Sequence, residues 1–445
     1  MKHLLSLCVR SLWCWLVLAG LAFAQSALRA PTDLLCELLS HPERAVITDA
    51  RPEFGWVVND PRRGARQAAY QILVASDAKL LARQRADYWD SGKVNSDQSI
   101  EVEYTGKPLQ SNTSYWWQVR TWDATGKASA WSQPQRFNVG DLKFKERRWP
   151  SESRWVKLGD EWVFENRHTI AYHELAPSKL VRKAPQHYFI DFGKAAFATL
   201  KITLGSARAG EKVEVHLGEK LQAENTLDRQ PGGNIVYKKA ELTLRPGKQT
   251  YIVELPRQRS SYPNSQVLAE HMPEVTPFRY AELIGVPGEL AAGDIKQLAL
   301  FYQFDDQAAA FTSSDAGLNA VWDLCKYTLK ATPFLGVYAD GTRERMPYEA
   351  DAYIQQLGHY AVDREYAIAR YTHEFLLFNP AWPTEWHLHS VLMAWADYQQ
   401  TGNLESLRRF YGDLKAKTLL LLAREDGLIS TRTGRVTREF LQTIH

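Results

Sequence analysis

The strongest constraint in this 445-residue chain is a change of hydrophobic period near Phe311. Before it, short aromatic and β-branched runs alternate with a period of two, the mark of half-buried strands. After it, apolar residues recur three and four positions apart, the mark of helices with one buried stripe. Neither pattern fits the other's geometry, so the chain reads as β-rich regions followed by an all-helical one.

The β-rich part divides in two. Over 31–140 the runs "PEFGWVV", "AAYQILVAS", "YWDSGKV", "SIEVEYTG", "SYWWQVRTWD" and "QRFNVG" are separated by turn signals. In "YWWQVRTW", Tyr115, Trp117, Val119 and Thr121 share one face, with Trp116, Gln118, Arg120 and Trp122 on the other. Evenly spaced short strands of this kind predict a fibronectin III or immunoglobulin-like β-sandwich serving as scaffold. Over 150–305, "YFIDFGKAAFATLKITL", "EKVEVHLGEKL", "YIVELP", "FRYAELIGVPG" and "QLALFYQF" predict a second, jelly-roll-like sandwich. The helical region, 311–445, opens at "SSDAGLNAVWDLCKYTLKAT". There Ser313, Ser314 and Asp315 are cap residues, and Leu318, Val321, Cys325 and Leu329 form one stripe. Further helices are expected at about 349–361, 364–378, 384–400 and 404–425. The helix at 384–400 is apolar nearly all round, so burial on more than one side is expected of it.

The length suits about three domains. Forty-five per cent hydrophobic residues, with 15 Trp and 20 Tyr, describe a folded protein with broad aromatic surfaces of the kind on which sugar rings stack. A net charge of +3 with no long basic block argues against nucleic acid as a partner. Residues 1–24 read as a secretory signal: Lys2 and Arg10, an apolar run, then Ala22-Phe23-Ala24 before Gln25. A secreted or periplasmic protein is expected, with no membrane contact after cleavage, because no later apolar run approaches a spanning length. Cys8 and Cys14 lie in the signal, and the remaining Cys36 and Cys325 do not make a disulfide framework. No motif calls for a cofactor or a metal. His387 and His389 diverge on a helix, and no H-E-x-x-H, P-loop or G-x-S-x-G occurs.

Between the first two helices lies "DGTRERMPYEAD", residues 340–351. A dense charge run is commonly a solvated turn, and Glu349 and Asp351 could simply complement the N-terminal dipole of the next helix. Loops leaving rigid helices are also where catalytic groups gather. Paired carboxyls suit glycosidic hydrolysis, which needs one protonated acid at the leaving oxygen and one ionised carboxylate to meet the positive charge growing on the sugar. Among the later aromatic residues, Trp386 beside Glu385 is the best candidate sugar platform.

The segments "AAYQILVAS…YWDSGKV…SYWWQVRTWD…ASAWS", "YFIDFGKAAFATLKI" and "FRYAELIG", together with the helical part, resemble bacterial α-L-rhamnosidases, glycoside hydrolase family 78. The resemblance implies an (α/α)6 six-hairpin catalytic domain and an inverting hydrolase that removes terminal α-L-rhamnose from a rhamnose-containing glycoside. In the family's D-C-P-x-R-D-E-R-x-G-W-x-G-D segment, anchoring on Glu-Arg places Glu344 as general acid. Asp340, Arg343, Tyr348 and Asp351 then line the sugar pocket. Tyr348 stands where the family has Trp, and the C-P pair is missing. The family carries its general base much further along, so an incomplete barrel lacking that base, and hence an inactive chain, is expected. A non-catalytic carbohydrate-binding or scaffold protein and another six-hairpin glycosidase are the alternatives.

Overall fold

The structure, a computed structural model, describes residues 28–258, 262 and 264–438. The export signal read at 1–24 lies outside them. The chain forms two compact units, one containing Ile47–Phe144 with the strand before Glu43, the other Arg44–Val46 and Lys145 onward.

The first unit carries β1 (Thr32–Cys36), β2 (Glu53–Val57), β3 (Gln67–Ala75), β4 (Trp89–Asp90), β5 (Val102–Glu103), β6 (Thr113–Asp123) and β7 (Gln135–Val139). One antiparallel sheet runs β1-β2-β5 and the other β4-β3-β6-β7. The face of β6 read from its alternation is the buried one: Tyr115, Trp117, Val119 and Thr121 are all inaccessible. Trp117 bridges the sheets by packing on Phe54 of β2, ring centres 4.4 Å apart. On the opposite face Gln118 is also buried, because its amide donates to the Leu81 carbonyl of the short helix Ala78–Leu81.

The second unit begins with a hairpin, β8 (Trp155–Leu158) and β9 (Glu161–Phe164). An eight-stranded antiparallel sheet follows: β10 (Ala171–Leu175), β11 (Lys179–Ala184), β12 (His187–Ser206), β13 (Lys212–Gly218), then, after the small hairpin β14 (Leu221–Ala223) and β15 (Thr226–Leu227), β16 (Tyr237–Thr243), β17 (Gly247–Ile252), β18 (Thr276–Ile284) and β19 (Ile295–Phe301). Its main path is β10-β19-β12-β18-β13-β16. The 20-residue β12 serves two sets of neighbours because its register against β18 breaks between Asp191 and Ala196. Gly193, at φ +82°, sits in that break, where a side chain would be strained. The first half of β12 pairs with β11 and the second with β17 and β19.

Helices α1 (Ala316–Ala331), α2 (Glu349–Val362), α3 (Ala367–Phe378), α4 (His389–Thr401), α5 (Glu405–Arg409) and α6 (Tyr411–Lys417) complete the unit. Asp315 caps α1 as expected, accepting from the N–H groups of Gly317 and Leu318. Each helix from α1 to α4 packs on the next, and α2 also packs on α4. Strands and helices share one core: Trp149, Phe164, Phe197 and Leu300 meet Phe334, Tyr338, Ile368, Leu376 and Met393.

Three helical expectations change. The segment 384–400 starts as a 3₁₀ turn, Thr384–Leu388, directly after Pro383, and only then becomes α4. The segment 404–425 breaks at Phe410 and again at Leu419, whose φ is +58°; burial of Phe410, Leu414, Leu419 and Leu422 outweighs helical continuity. The outer side of α4 is not buried, since Leu392 and Trp395 are exposed; in the stripe of α1, Leu318, Val321 and Cys325 are exposed while Leu329 is half-buried against Gly358.

Candidate functional site

The charged loop between α1 and α2 turns inward rather than lying on the surface. Asp340 closes it, its N–H donating to the Met346 carbonyl at 3.0 Å while its Oδ1 accepts from the N–H groups of Glu344 (3.2 Å) and Arg345 (2.8 Å). Arg345 sits at φ +52°, a left-handed conformation that costs a residue other than glycine energy and persists only where surroundings enforce it. Those surroundings come from the strand region and the segment leading into β18. The buried Arg345 Nη2 bonds Glu274 Oε1 at 2.8 Å and the Val275 carbonyl at 3.0 Å. The Gln258 amide donates to the Thr342 carbonyl, the Ser265 hydroxyl to the Glu344 carbonyl, and the Gln266 N–H to the Arg345 carbonyl. Gly341 lies against the Phe197 ring, where a Cβ would come within 2.8 Å.

This clamp presents Glu344, whose side chain is nearly buried. Its Oε1 pairs with Arg343 at 2.8 Å and its Oε2 accepts from the Tyr348 hydroxyl at 2.6 Å. Burial, then that bond to Glu344, raises the Tyr348 phenol well above its ordinary range. Tyr348 meets Trp386 edge to face, ring centres 5.5 Å apart. Asp351, at the start of α2, stays partly exposed; desolvation first, then repulsion from Asp340 and Glu344, raises its carboxyl above the usual range. Asp340, Arg343, Glu344, Tyr348, Asp351 and Trp386 are therefore gathered at one place. Glu385 is exposed, and among the described residues it has no hydrogen bond or ion pair. The two histidines serve separate backbone carbonyls, His387 that of Ala381 and His389 that of Trp386.

Two features escape a reading of the sequence. The clamping residues Gln258, Ser265 and Glu274 lie some seventy to eighty positions upstream, with no local pattern to mark them. Glu349, read as a solvated partner of the helix dipole, is instead fully inaccessible. Its two oxygens accept from the Ala381 N–H at 3.1 and 3.3 Å, and burial pushes its pKa up to about 7, against the smaller opposing pull of those bonds and Lys417.

Chemically, the arrangement offers a sheltered carboxyl with a phenol and a guanidinium at its two oxygens, two further carboxyls close by, and an indole alongside. Carboxyls set beside aromatic rings are the groups that hydrolysis of a glycosidic bond employs.

Comparison with known proteins agrees along most of the chain. Residues 31–143 match the Rha78A-like N-terminal immunoglobulin domain, 181–301 the bacterial alpha-L-rhamnosidase concanavalin-like domain, and 306–437 the bacterial alpha-L-rhamnosidase 6 hairpin glycosidase domain. An alpha-L-rhamnosidase of Formosa agariphila is 40% identical over 115 residues, which are 26% of this chain and 12% of that protein. One from Streptomyces avermitilis is 48% identical over 91 residues, 20% of this chain and 9% of that protein. These matches thus span only a small part of the relatives' length. In fold, the alpha-L-rhamnosidase of Dictyoglumus thermophilum aligns with 90% of this chain and 65% of its own (TM-score 0.67, 15% identity). The S. avermitilis alpha-L-rhamnosidase complexed with L-rhamnose aligns with 89% and 71% (TM-score 0.67, 13% identity).

Proposed function

Because the chain belongs to the bacterial α-L-rhamnosidase family, we propose that it takes part in hydrolysis of terminal α-L-rhamnosyl bonds, with Glu344 as the general acid. The observation that supports this most is the buried position of Glu344, held on a clamped loop with Asp340 and Asp351 nearby and Tyr348 and Trp386 forming an aromatic wall. Asp340 acts in this reading chiefly by holding the backbone of Glu344, Asp351 by contributing a second acidic group, and Tyr348 with Trp386 by shaping the side of the sugar pocket. Inversion also needs a carboxylate ~6.5–9.5 Å away that activates water on the opposite face of the ring. No described residue is assigned as that base. Residues 1–24 are proposed as an export signal that places the protein outside the cytoplasm.

Leaving-group dependence tests the assignment. Glu344→Gln keeps shape and hydrogen-bonding reach, so, measured on a form that carries the general base as well, it is expected on rhamnosides with poor leaving groups to lower kcat by about 10²–10⁴-fold with little change in KM. On nitrophenyl rhamnoside the loss shrinks, since a departing phenolate needs little protonation. An equal loss on both substrates removes Glu344 from the role of proton donor. Turnover of other nitrophenyl glycosides but not rhamnoside indicates a different six-hairpin glycosidase, and sugar binding without any turnover a binding protein.

A further inference from the structure

A cleft of about 750 Å³ opens beside Glu344, between the loop carrying Asp340 and Arg343 and the strand-region segments 233–238 and 255–258. Its size lies in the range of ligand pockets, roughly 300–1,000 Å³. Arg343 links it to the acid, since the same guanidinium that lines the cleft holds Glu344 Oε1 at 2.8 Å. The cleft therefore begins where the proton donor sits and runs away over the sandwich.

Its charge is unbalanced. Glu274, the carboxylate on the cleft's inner wall, has its short ion pair with the buried Arg345. The Arg257 Nη2 donates to three backbone carbonyls, those of Ala269, Glu270 and Met272, and Arg257 reaches Glu274 only at 3.9 Å. Lys238, exposed at the start of β16, has no carboxylate partner among the described residues. Asp340, at the mouth, has its Oδ1 committed to two backbone N–H groups. Three cations, Lys238, Arg257 and Arg343, and two carboxylates, Glu274 and Asp340, thus line the cleft; Lys238 is the one of these cations without a carboxylate partner among the described residues, and Arg257 holds Glu274 only loosely.

We propose that this cleft is the leaving-group subsite and that it takes an acidic sugar, a hexuronate whose carboxylate meets Lys238 and Arg257. The inference rests on the rhamnosidase reading, which it extends from the sugar removed to the sugar released. Recognition of a sugar carboxylate requires donors that keep their charge, and an arginine whose Nη2 is tethered to backbone carbonyls is already oriented for it.

The test uses the full chain and paired thio-linked disaccharides, rhamnosyl-uronate and its carboxyl-reduced neutral counterpart, in which sulfur at the scissile position prevents turnover. Calorimetry is expected to show tighter binding of the acidic member, by about five-fold for each partly exposed ion pair, with the preference falling as salt rises. Lys238→Met and Arg257→Gln are each expected to reduce that preference, and together to abolish it. Equal affinity for the two disaccharides, no binding of either, or a preference that survives both substitutions overturns the subsite. Turnover of nitrophenyl rhamnoside, measured separately, reports on the rhamnosidase reading, so failure of one is distinguishable from failure of the other.

Discussion

Replacing Glu349 by glutamine is expected to change how stability depends on pH, in a direction fixed by burial. In the folded protein the carboxyl titrates at about 7, against an ordinary value of 4.5. The folded state therefore binds a proton that the unfolded state has released throughout the interval between those values. Stability falls where the folded state holds more protons, so this group's contribution is fully favourable below pH 4.5, declines as pH rises towards 7, and is then flat. The gap corresponds to a loss of about 3 kcal/mol across the interval. Glutamine keeps the oxygen that accepts from the Ala381 N–H but never ionises. Urea unfolding followed by helical circular dichroism, repeated across the pH range, is expected to show Glu349→Gln matching the wild type in acid and exceeding it by up to about 3 kcal/mol at neutral pH. Parallel pH–stability curves for the two proteins would refute the reasoning, because they would mean that Glu349 ionises alike in both states.

Two further substitutions probe the loop that carries Glu344. Arg345→Met leaves Glu274 buried without its close partner and is expected to cost about 3–5 kcal/mol in a thermal or chemical melt; adding Glu274→Gln is expected to restore part of that. Gly341→Ala brings a methyl to 2.8 Å from Phe197, whose ring is stacked on Phe334 at 3.8 Å and cannot easily yield, so a loss of about 1–3 kcal/mol is expected in the same melts.

The fold was legible wherever burial follows a simple period. Tyr115, Trp117, Val119 and Thr121 alternate along β6 and are all inaccessible, because one face of a sandwich strand has a single destination. Helical burial was less legible, since the period locates a stripe but not the partner that covers it. Leu318 and Val321 keep helical spacing and still face outward. The break at Phe410 goes with packing of Phe410 and Leu414 against distant residues of the core, and the one at Leu419 with local burial against Leu422, neither of which a helical period marks. At the site, Asp340, Arg343, Glu344, Tyr348 and Asp351 are near neighbours in the chain, so one loop brings them together and a motif can capture them. Glu385 adjoins Trp386 in sequence, but adjacent residues in a 3₁₀ turn point apart, and only the indole reaches Tyr348.

The loop's shape is not a property of the loop. Left to itself, "DGTRERMPYEAD" has the composition of a solvated turn, and the left-handed backbone at Arg345 is one that such a turn would relax. It persists because Arg345 is drawn inward to Glu274 while Gln258, Ser265 and Gln266 hold the backbone on either side of Glu344. Arg343 and Arg345, flanking one glutamate, are thereby sent to opposite duties: Arg345 anchors the loop in the β-rich region, and Arg343 stays exposed at the carboxyl of Glu344. The strand region of the second unit is for this reason part of the site rather than a support beneath it. Helices alone would carry the residues of the motif, but the direction in which Glu344 points is set by side chains some seventy to eighty positions earlier.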